Sequence, residues 1–554
     1  MLNSCIIYCL FYFFKLVSVN IKINFKVINY MFKPTTEQEK ILHRAAVGES
    51  FKVMAYAGTG KTSTLGLISK TLAAKSRKGT YLAFNKSIAD EAAKKFDSSV
   101  DARTFHSLAF RQTERSLTEK LKLPRIRDND LATHYGLIAF EAEIDPTMRV
   151  GDSKKTKYIF DIDLFRLVKK AVSYYCSTHA KQLKVTHFQF PDWMSENSKK
   201  ALGETLLPIA HQYWHDQLNP NSQFPITHEI YLKKWAIQRP QIRTDYIMFD
   251  EAQDADPLML GVLLEQKNTQ VIYVGDAYQQ IYDWRGAVNA MIQLNIPAER
   301  LTQSFRFGHA IADNANLYLN MLGESVPLVG TESINSRVLH MRSESFDPDA
   351  ILCRTNRGAI EALMNRLKLG DNRTYGLVAN SEEYIKLIEA GKLLKEGRTP
   401  NHPAFMGFTS WHDVKEYTES DKSDFELAGL VRLEEKFGFY ELEKVIKQSI
   451  QAKNPQCVIS TAHKSKGLEW NKVDFHDDFE LKLTPDRTFN EMLNTVKRSD
   501  GIEAMYDNKP QMTQMEDSEL RLLYVAVTRS KVAMNNMALK DIANRASQLK
   551  QKIN

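Results

Sequence analysis

Cysteine is scarce: Cys5, Cys9, Cys176, Cys353 and Cys457 are the five in 554 residues, with no C-x-x-C pair and no tight cluster. Neither a disulfide framework nor a zinc or iron–sulfur site is therefore suggested, and a reducing, intracellular compartment is expected. Long apolar runs are also missing. Residues 1–14 are apolar and uncharged, but a spanning helix needs about 20 such residues. The stretch also lacks the leading charge and the small-residue cleavage site of a signal peptide. We expect residues 1–30 to be an uncertain apolar leader from a wrongly assigned start, with translation beginning at Met31, and no stable membrane partner. No repeat with a period of 20 to 50 residues and no long low-complexity run is present, which argues against a solenoid or a disordered chain.

What the chain does have is an ordinary globular composition, 43% hydrophobic and 25% charged. Its length is enough for about three to five domain units. The 74 Lys and Arg against 67 Asp and Glu leave a net charge of +7, which permits a polyanionic partner without requiring one. Short β-rich runs at 51–57, 80–84, 100–105, 245–249 and 270–274 alternate with helical spacing, the signature of an α/β fold with a parallel sheet. Residues 111–240 interrupt that rhythm. They are helix-rich and carry 20 Lys and Arg against 15 Asp and Glu, so they read as an inserted domain with a basic face. Strand patterns return at 337–341, 349–353 and 374–379. Residues 380 to about 455 then read as polar helices, and a last α/β portion starts at Cys457.

The run Ala55-Tyr56-Ala57-Gly58-Thr59-Gly60-Lys61-Thr62 lies between a predicted strand and a predicted helix. Gly58 and Gly60 let backbone N–H groups turn inward around phosphates, Lys61 reaches the β and γ phosphates, and the Thr62 hydroxyl can join a Mg²⁺ shell. The first glycine of the general pattern is Ala55 here. Asp250 and Glu251 follow the apolar strand ending at Phe249. Asp250 can hold Mg²⁺ through its water shell and Glu251 can polarise an attacking water. A D-E pair alone is commonly an acidic helix start; beside a phosphate loop it reads as the hydrolytic partner.

Added arginines stabilise a γ-phosphoryl transition state by about 10³ to 10⁵ in rate. Arg306 and Arg529 are the candidates, both on a different α/β unit from the phosphate loop, which predicts a nucleotide cleft closed by two domains. His463 has no second histidine at ligand spacing, and Lys464 and Lys466 would repel a cation, so a metal is not expected there.

Three segments carry a resemblance. Gly275-Asp276-Ala277-Tyr278-Gln279-Gln280-Ile281-Tyr282-Asp283-Trp284-Arg285-Gly286-Ala287 is similar to motif III of the UvrD, PcrA and Rep branch of superfamily 1 helicases. Thr461-Ala462-His463-Lys464-Ser465-Lys466-Gly467-Leu468-Glu469 resembles motif V, and Leu523-Tyr524-Val525-Ala526-Val527-Thr528-Arg529 resembles motif VI. Within that branch the wording around Gln279, Phe305 and Arg529 is most similar to the helicase part of F-box DNA helicases. No F-box region is apparent, and a bacterial or phage-type relative is expected.

The resemblance implies two RecA-like P-loop NTPase domains, with a helix-rich insertion in the first and a reduced insertion in the second. The expected layout is 31–110 with 241–305 as the first RecA-like domain (1A), 111–240 as its 1B-like insertion, 306–380 with 456–540 as the second (2A), 381–455 as a reduced 2B-like insertion, and 541–554 as a tail. Only 157 positions separate Arg306 from His463, less than larger relatives use, which predicts weaker self-inhibition of the monomer. The resemblance also implies that Gln38 recognises adenine, Phe305 stacks on it and Glu469 holds the ribose. Ala57 to Ser63 (Gly58, Thr59, Gly60, Lys61 and Thr62 between them) would bind the phosphates, and Gln279 would sense the γ-phosphate. DNA contacts are expected from Phe84, Asn85 and Lys86, from Thr104 and His106, from Tyr282, Trp284 and Arg285, and from Thr461 and His463. Exposed aromatic faces among these could stack on unpaired bases without reading sequence.

The expected activity is an ATP- and Mg²⁺-dependent 3′–5′ DNA helicase or translocase. It would act on single-stranded DNA and single/double-strand junctions in repair, recombination control or replication, with a recombinase or loading protein as possible partner. A monomer or weak oligomer in the cytoplasm, nucleoid-associated, is expected. The alternatives are a non-unwinding translocase that strips recombinase filaments and a nucleotide-switched DNA-binding module.

Overall fold

The computed structural model describes residues 33–83, 85–146, 155–282, 286–340, 346–379, 381–398, 400, 402–405, 408–420, 425–479 and 513–539. Among them are two six-stranded parallel sheets and one two-stranded antiparallel ribbon. The chain folds into two compact units. The first holds the described residues up to Ala55, Lys61–Ala277 and Tyr282–Leu301; the second holds Tyr56–Gly60, Tyr278–Ile281 and the described residues from Thr302 onward.

The first unit is built on β1 (Phe51–Ala55), β2 (Gly79–Ala83), β3 (Val100–Thr104), β6 (Tyr246–Phe249), β7 (Gln270–Gly275) and β8 (Ala298–Leu301). Their order across the sheet is β3-β2-β6-β7-β1-β8. Every residue of β2, β6 and β7 is buried, whereas β3, at one edge, buries only Val100. Parallel strands covered by crossover helices must be apolar on both faces, so the central strands are those whose sequences read as unbroken hydrophobic runs. All five strands expected in this unit form. The short, polar β8 is additional, an edge strand with only Leu301 buried.

Between β3 and β6 the chain makes the expected helical insertion, with helices Asp161–Ser177, Glu196–Leu218 and His228–Ile237. It also contains a ribbon, β4 (Phe140–Glu143) paired with β5 (Thr156–Ile159), that was not expected from the sequence. Two lysines hold this region from inside. Lys120 donates to the carbonyls of Asp216, Gln217 and Asn219 at the end of the long helix, at 3.1, 2.7 and 2.6 Å. Lys233, fully buried, donates to the carbonyls of Thr178 and Ala180 at 2.7 Å each. Burial pushes its amine down to about 8.

The second unit carries β9 (Arg337–Leu339), β10 (Ala350–Cys353), β11 (Tyr375–Val378), β12 (Cys457–Thr461), β13 (Trp470–Phe475) and β14 (Ser530–Asn535), ordered β11-β12-β10-β13-β14-β9. The helices Ser381–Lys395, Trp411–Ser420, Phe425–Phe437 and Phe439–Ile450 occupy the stretch expected to be helical. They are not a separately cored body. Leu387, Trp411, Leu430 and Phe439 share one hydrophobic cluster with Ile351 and Ile459 of the sheet. No helix among the described residues is long and apolar enough to cross a membrane. Residues 1–30 and 541–554, named above as leader and tail, lie outside the described residues.

Candidate active site

In a parallel sheet the loops after the strands lie at the carboxyl ends of the strands, and Asp250 and Glu251 leave β6 there. Asp250 follows β6 directly and is buried; its N–H donates to the Leu82 carbonyl of neighbouring β2 at 3.2 Å. The same pairing brings Tyr81 of β2 to it, and the Tyr81 hydroxyl donates to Asp250 Oδ2 at 2.8 Å. Burial first, and the Glu251 carboxylate next, raise the Asp250 carboxyl to about 6 against the opposing pull of Lys61. Burial and Asp250 together push the Tyr81 phenol well up. A buried carboxylate this destabilised, facing a lysine, is a fitting ligand for a divalent cation, and Thr62 stands exposed on the first turn of the helix Lys61–Ala73.

Glu251 adopts a left-handed backbone with φ 53°, an uncommon state for a non-glycine residue and one that clusters at functional sites. Gln253, fully buried, braces it by donating to the Glu251 carboxylate. The Gln253 Oε1 in turn accepts from the Asp276 N–H just past β7 at 3.1 Å. Sequence reasoning missed Tyr81 and Gln253; the Gln at the fourth position of Asp250-Glu251-Ala252-Gln253 was the available signal.

Gln38 is buried at the start of the helix Thr36–Val47. It closes a reciprocal cap with Thr35, and its Nε2 donates to Thr64 Oγ1 at 3.0 Å. Asn85 and Thr104 likewise cap helices, accepting from Ile88 N at 3.0 Å and Ser107 N at 3.1 Å. Lys86 is exposed, Tyr282 is half-buried, and burial lowers the His106 imidazole. Phe84, Trp284 and Arg285 lie outside the described residues.

The second unit gathers the rest. Gly58 and Gly60 take φ of +73° and +79°, the region where glycine alone is unstrained. Gly58 also has no room for a side chain, because a Cβ would stand 2.5 Å from Ser304 Oγ and 2.6 Å from Arg306 Cβ. Its carbonyl accepts from Phe305 N at 2.8 Å, while the Phe305 ring is half exposed. Thr59 folds back onto the Tyr56 carbonyl at 2.8 Å; Ser63, in the first unit, is exposed on the helix that follows the loop.

Arg306 and Arg529 are both in this unit together with Tyr56–Gly60, so the expectation that they lie on a different unit from the phosphate loop does not hold for the loop's glycines. Arg306 Nη1 donates to the Thr528 carbonyl at 3.1 Å, and its Nε lies 2.8 Å from the Glu469 carboxylate, which Lys531 approaches to 3.4 Å. Arg529 is buried. Its Nε donates to the Val525 carbonyl at 2.8 Å, and its Nη2 reaches Thr528 Oγ1 at 3.1 Å and Gln279 Oε1 at 3.4 Å. Lys466 donates to the Gln279 carbonyl at 2.8 Å. The predicted γ-phosphate sensor and one predicted arginine are thus direct neighbours. Thr461 is buried at the end of β12, and His463 is half-buried just beyond it.

Against this geometry the family comparisons are decisive. The model of the UvrD/REP helicase N-terminal domain matches residues 35–297, and that of the UvrD-like helicase C-terminal domain matches residues 408–535. The chain belongs to the UvrD-like helicase family. Its two parallel sheets are accordingly the two RecA-like domains of that family. Similar proteins include F-box DNA helicase protein 1 of Schizosaccharomyces pombe, 27% identical over 530 residues covering 90% of this chain and 56% of the relative. F-box DNA helicase 1 of Gallus gallus is 28% identical over 531 residues, covering 90% and 48%. The ATP-dependent DNA helicase PcrA of Leuconostoc citreum is 34% identical over 99 residues, 16% of this chain and 13% of PcrA. The chain spans about half the length of the two F-box helicases it matches, and the likeness to them expected from the motif wording is present.

One cluster lies apart from these motifs. Cys353, His476 and Asp478 offer ligand atoms within 4.8 Å of one another. Asp478 already accepts from Arg354 N, Thr355 N and Thr355 Oγ1 at 2.8 to 2.9 Å, anchoring the helix Asn356–Lys368. Burial alone would lower His476, yet the carboxylates of Asp478, Asp477 and Glu361 together outweigh it and raise the imidazole. Burial holds the Cys353 thiol well above its ordinary value. The cluster is best described as a structural ion pair beside a protonated thiol.

Proposed function

We propose that this UvrD-like protein is an ATP-dependent DNA helicase that moves 3′ to 5′ along single-stranded DNA and separates duplex ahead of it. The observation that carries the reading is the buried, destabilised Asp250 carboxylate at the end of β6, facing Lys61 at the end of a turn whose two glycines both need positive φ. In this reading Mg·ATP supplies the phosphoryl group and its leaving group, and Asp250 and Thr62 hold the metal. Lys61 neutralises phosphate charge. Glu251, set by its left-handed backbone and by Gln253, orients and deprotonates water. Arg306 and Arg529 stabilise the charge that develops on the transferred group. Gln279, hydrogen-bonded to Arg529, reports the γ-phosphate. Asn85, Lys86, Thr104, His106, Tyr282, Thr461 and His463 are the proposed DNA-lining residues, and Gln38, Phe305 and Glu469 the proposed nucleoside contacts. We assign the 1A role to 31–110 with 241–305, the 1B-like role to 111–240, the 2A role to 306–380 with 456–540 and the 2B-like role to 381–455. Single/double-strand junctions are the proposed substrate, and repair, recombination control or replication the proposed setting.

The test is ATP hydrolysis measured against single-stranded DNA, duplex DNA and RNA, beside strand separation on a junction with a 3′ tail. Single-stranded DNA should stimulate turnover, and Lys61→Ala should abolish it while DNA binding persists. Hydrolysis indifferent to every nucleic acid would overturn the reading.

A further inference from the structure

The phosphate loop makes a contact that none of the motif roles accounts for. The Ala57 N–H, one residue before Gly58, donates to the hydroxyl of Tyr524 at 3.0 Å, and both groups are buried. Tyr524 belongs to the helix Thr513–Val527 and is fully buried. The next turn of that helix holds both arginines: Val525 O and Thr528 Oγ1 accept from Arg529, and Thr528 O accepts from Arg306. Thr528 is itself fixed to the Tyr524 carbonyl through N–H and Oγ1, at 3.2 and 2.8 Å. The five residues Tyr524 to Thr528 therefore fix the two arginines and one backbone donor of the phosphate loop from a single helical turn.

Backbone N–H groups in such a loop work by being aimed in advance, so whatever fixes their direction contributes to phosphate affinity. We propose that Tyr524 is a positioning residue for nucleotide binding, its hydroxyl setting the start of the phosphate loop through Ala57. The inference rests on the nucleotide-hydrolase reading above. The rest of the loop agrees with a preset shape. Tyr56 donates to the Val326 carbonyl at 2.7 Å, Thr59 closes back onto Tyr56, and Gly58 O is held by Phe305 N. The Ala57 donor thus lies between fixed points on both sides, and Tyr524 supplies the acceptor it uses.

Removing the hydroxyl leaves that buried donor without its acceptor, a loss that shifts an equilibrium by about tenfold. Tyr524→Phe keeps the ring and the packing. In the full chain it should raise KM for ATP, and the Kd of a non-hydrolysable ATP analogue measured by calorimetry, about tenfold, with kcat in saturating single-stranded DNA changed less than about threefold. Tyr135→Phe serves as the structural comparison, since it removes a part-buried hydroxyl bond, to Asp216 at 2.8 Å, in the helical insertion, away from the phosphate loop. It should lower Tm without moving KM or Kd. If Tyr524→Phe lowers Tm but leaves KM and Kd at wild-type values, the hydroxyl is only structural and the proposal fails. If KM falls, the hydroxyl competes with phosphate rather than aiming the loop, and the proposal fails as well. Absence of any nucleotide turnover or binding in the wild-type protein would instead strike the functional reading on which the inference rests.

Discussion

Asp250→Asn separates what the site does from what it costs the fold. Burial and Glu251 carry the Asp250 carboxyl from 3.8 to about 6, which corresponds to about 3 kcal/mol spent keeping it ionised at neutral pH. Because the folded value lies above the unfolded one, the native state takes up the proton first. Stability then falls as pH rises from about 4 to about 6, and the full cost is present above that window. Asparagine removes the charge. It has one oxygen where the aspartate uses two, Oδ2 for Tyr81 and Oδ1 for Glu251 N, so one hydrogen bond worth about 1 kcal/mol is lost. The variant should therefore be more stable than wild type by about 2 kcal/mol at about pH 7.5 and less stable by about 1 kcal/mol at about pH 4, while ATP hydrolysis disappears. Urea unfolding of both proteins across that range reads the crossing directly. A stability difference that keeps one sign and size at every pH would show that Asp250 carries no such burden.

Gly58→Ala should cut ATP turnover by more than about a hundredfold, since it forces a Cβ against Ser304 and Arg306 at a positive φ; an unchanged circular-dichroism spectrum beside near-normal hydrolysis would refute the packing argument. Lys120→Met strips the donor from three carbonyls at the end of the helix Glu196–Leu218. It should destabilise the insertion by about 3 kcal/mol, seen as faster amide hydrogen exchange at residues 210–222 while exchange in β6 and β7 stays slow.

The strands most legible in the sequence were the ones buried on both faces. Tyr246–Phe249, Gln270–Gly275 and Ala350–Cys353 present no polar face to interrupt the pattern. Ala298–Leu301 was missed for the opposite reason: as an edge strand it keeps Glu299 and Arg300 part-exposed and looks like a loop. The ribbon in the insertion is only four residues a side, too short for a period of two to declare itself. In the site, residues whose role follows from local chain geometry, such as Gly58, Gly60 and the strand-end Asp250, could be read directly. Their partners could not. Tyr81 meets Asp250 only because β2 lies beside β6, and Tyr524 meets Ala57 across most of the chain, relations that no local spacing encodes.

Gln253 has one more consequence. Its side-chain amide oxygen fills the volume that a Cβ at Gly275 would need, so the two positions are not independent in descent. A lineage acquiring alanine at 275 must shorten or reorient the residue at 253 in the same step, and thereby slackens the grip on Glu251. Alanine at 275 should be tolerated only together with a shorter residue at 253, and a library randomised at both should return correlated pairs rather than two separate preferences.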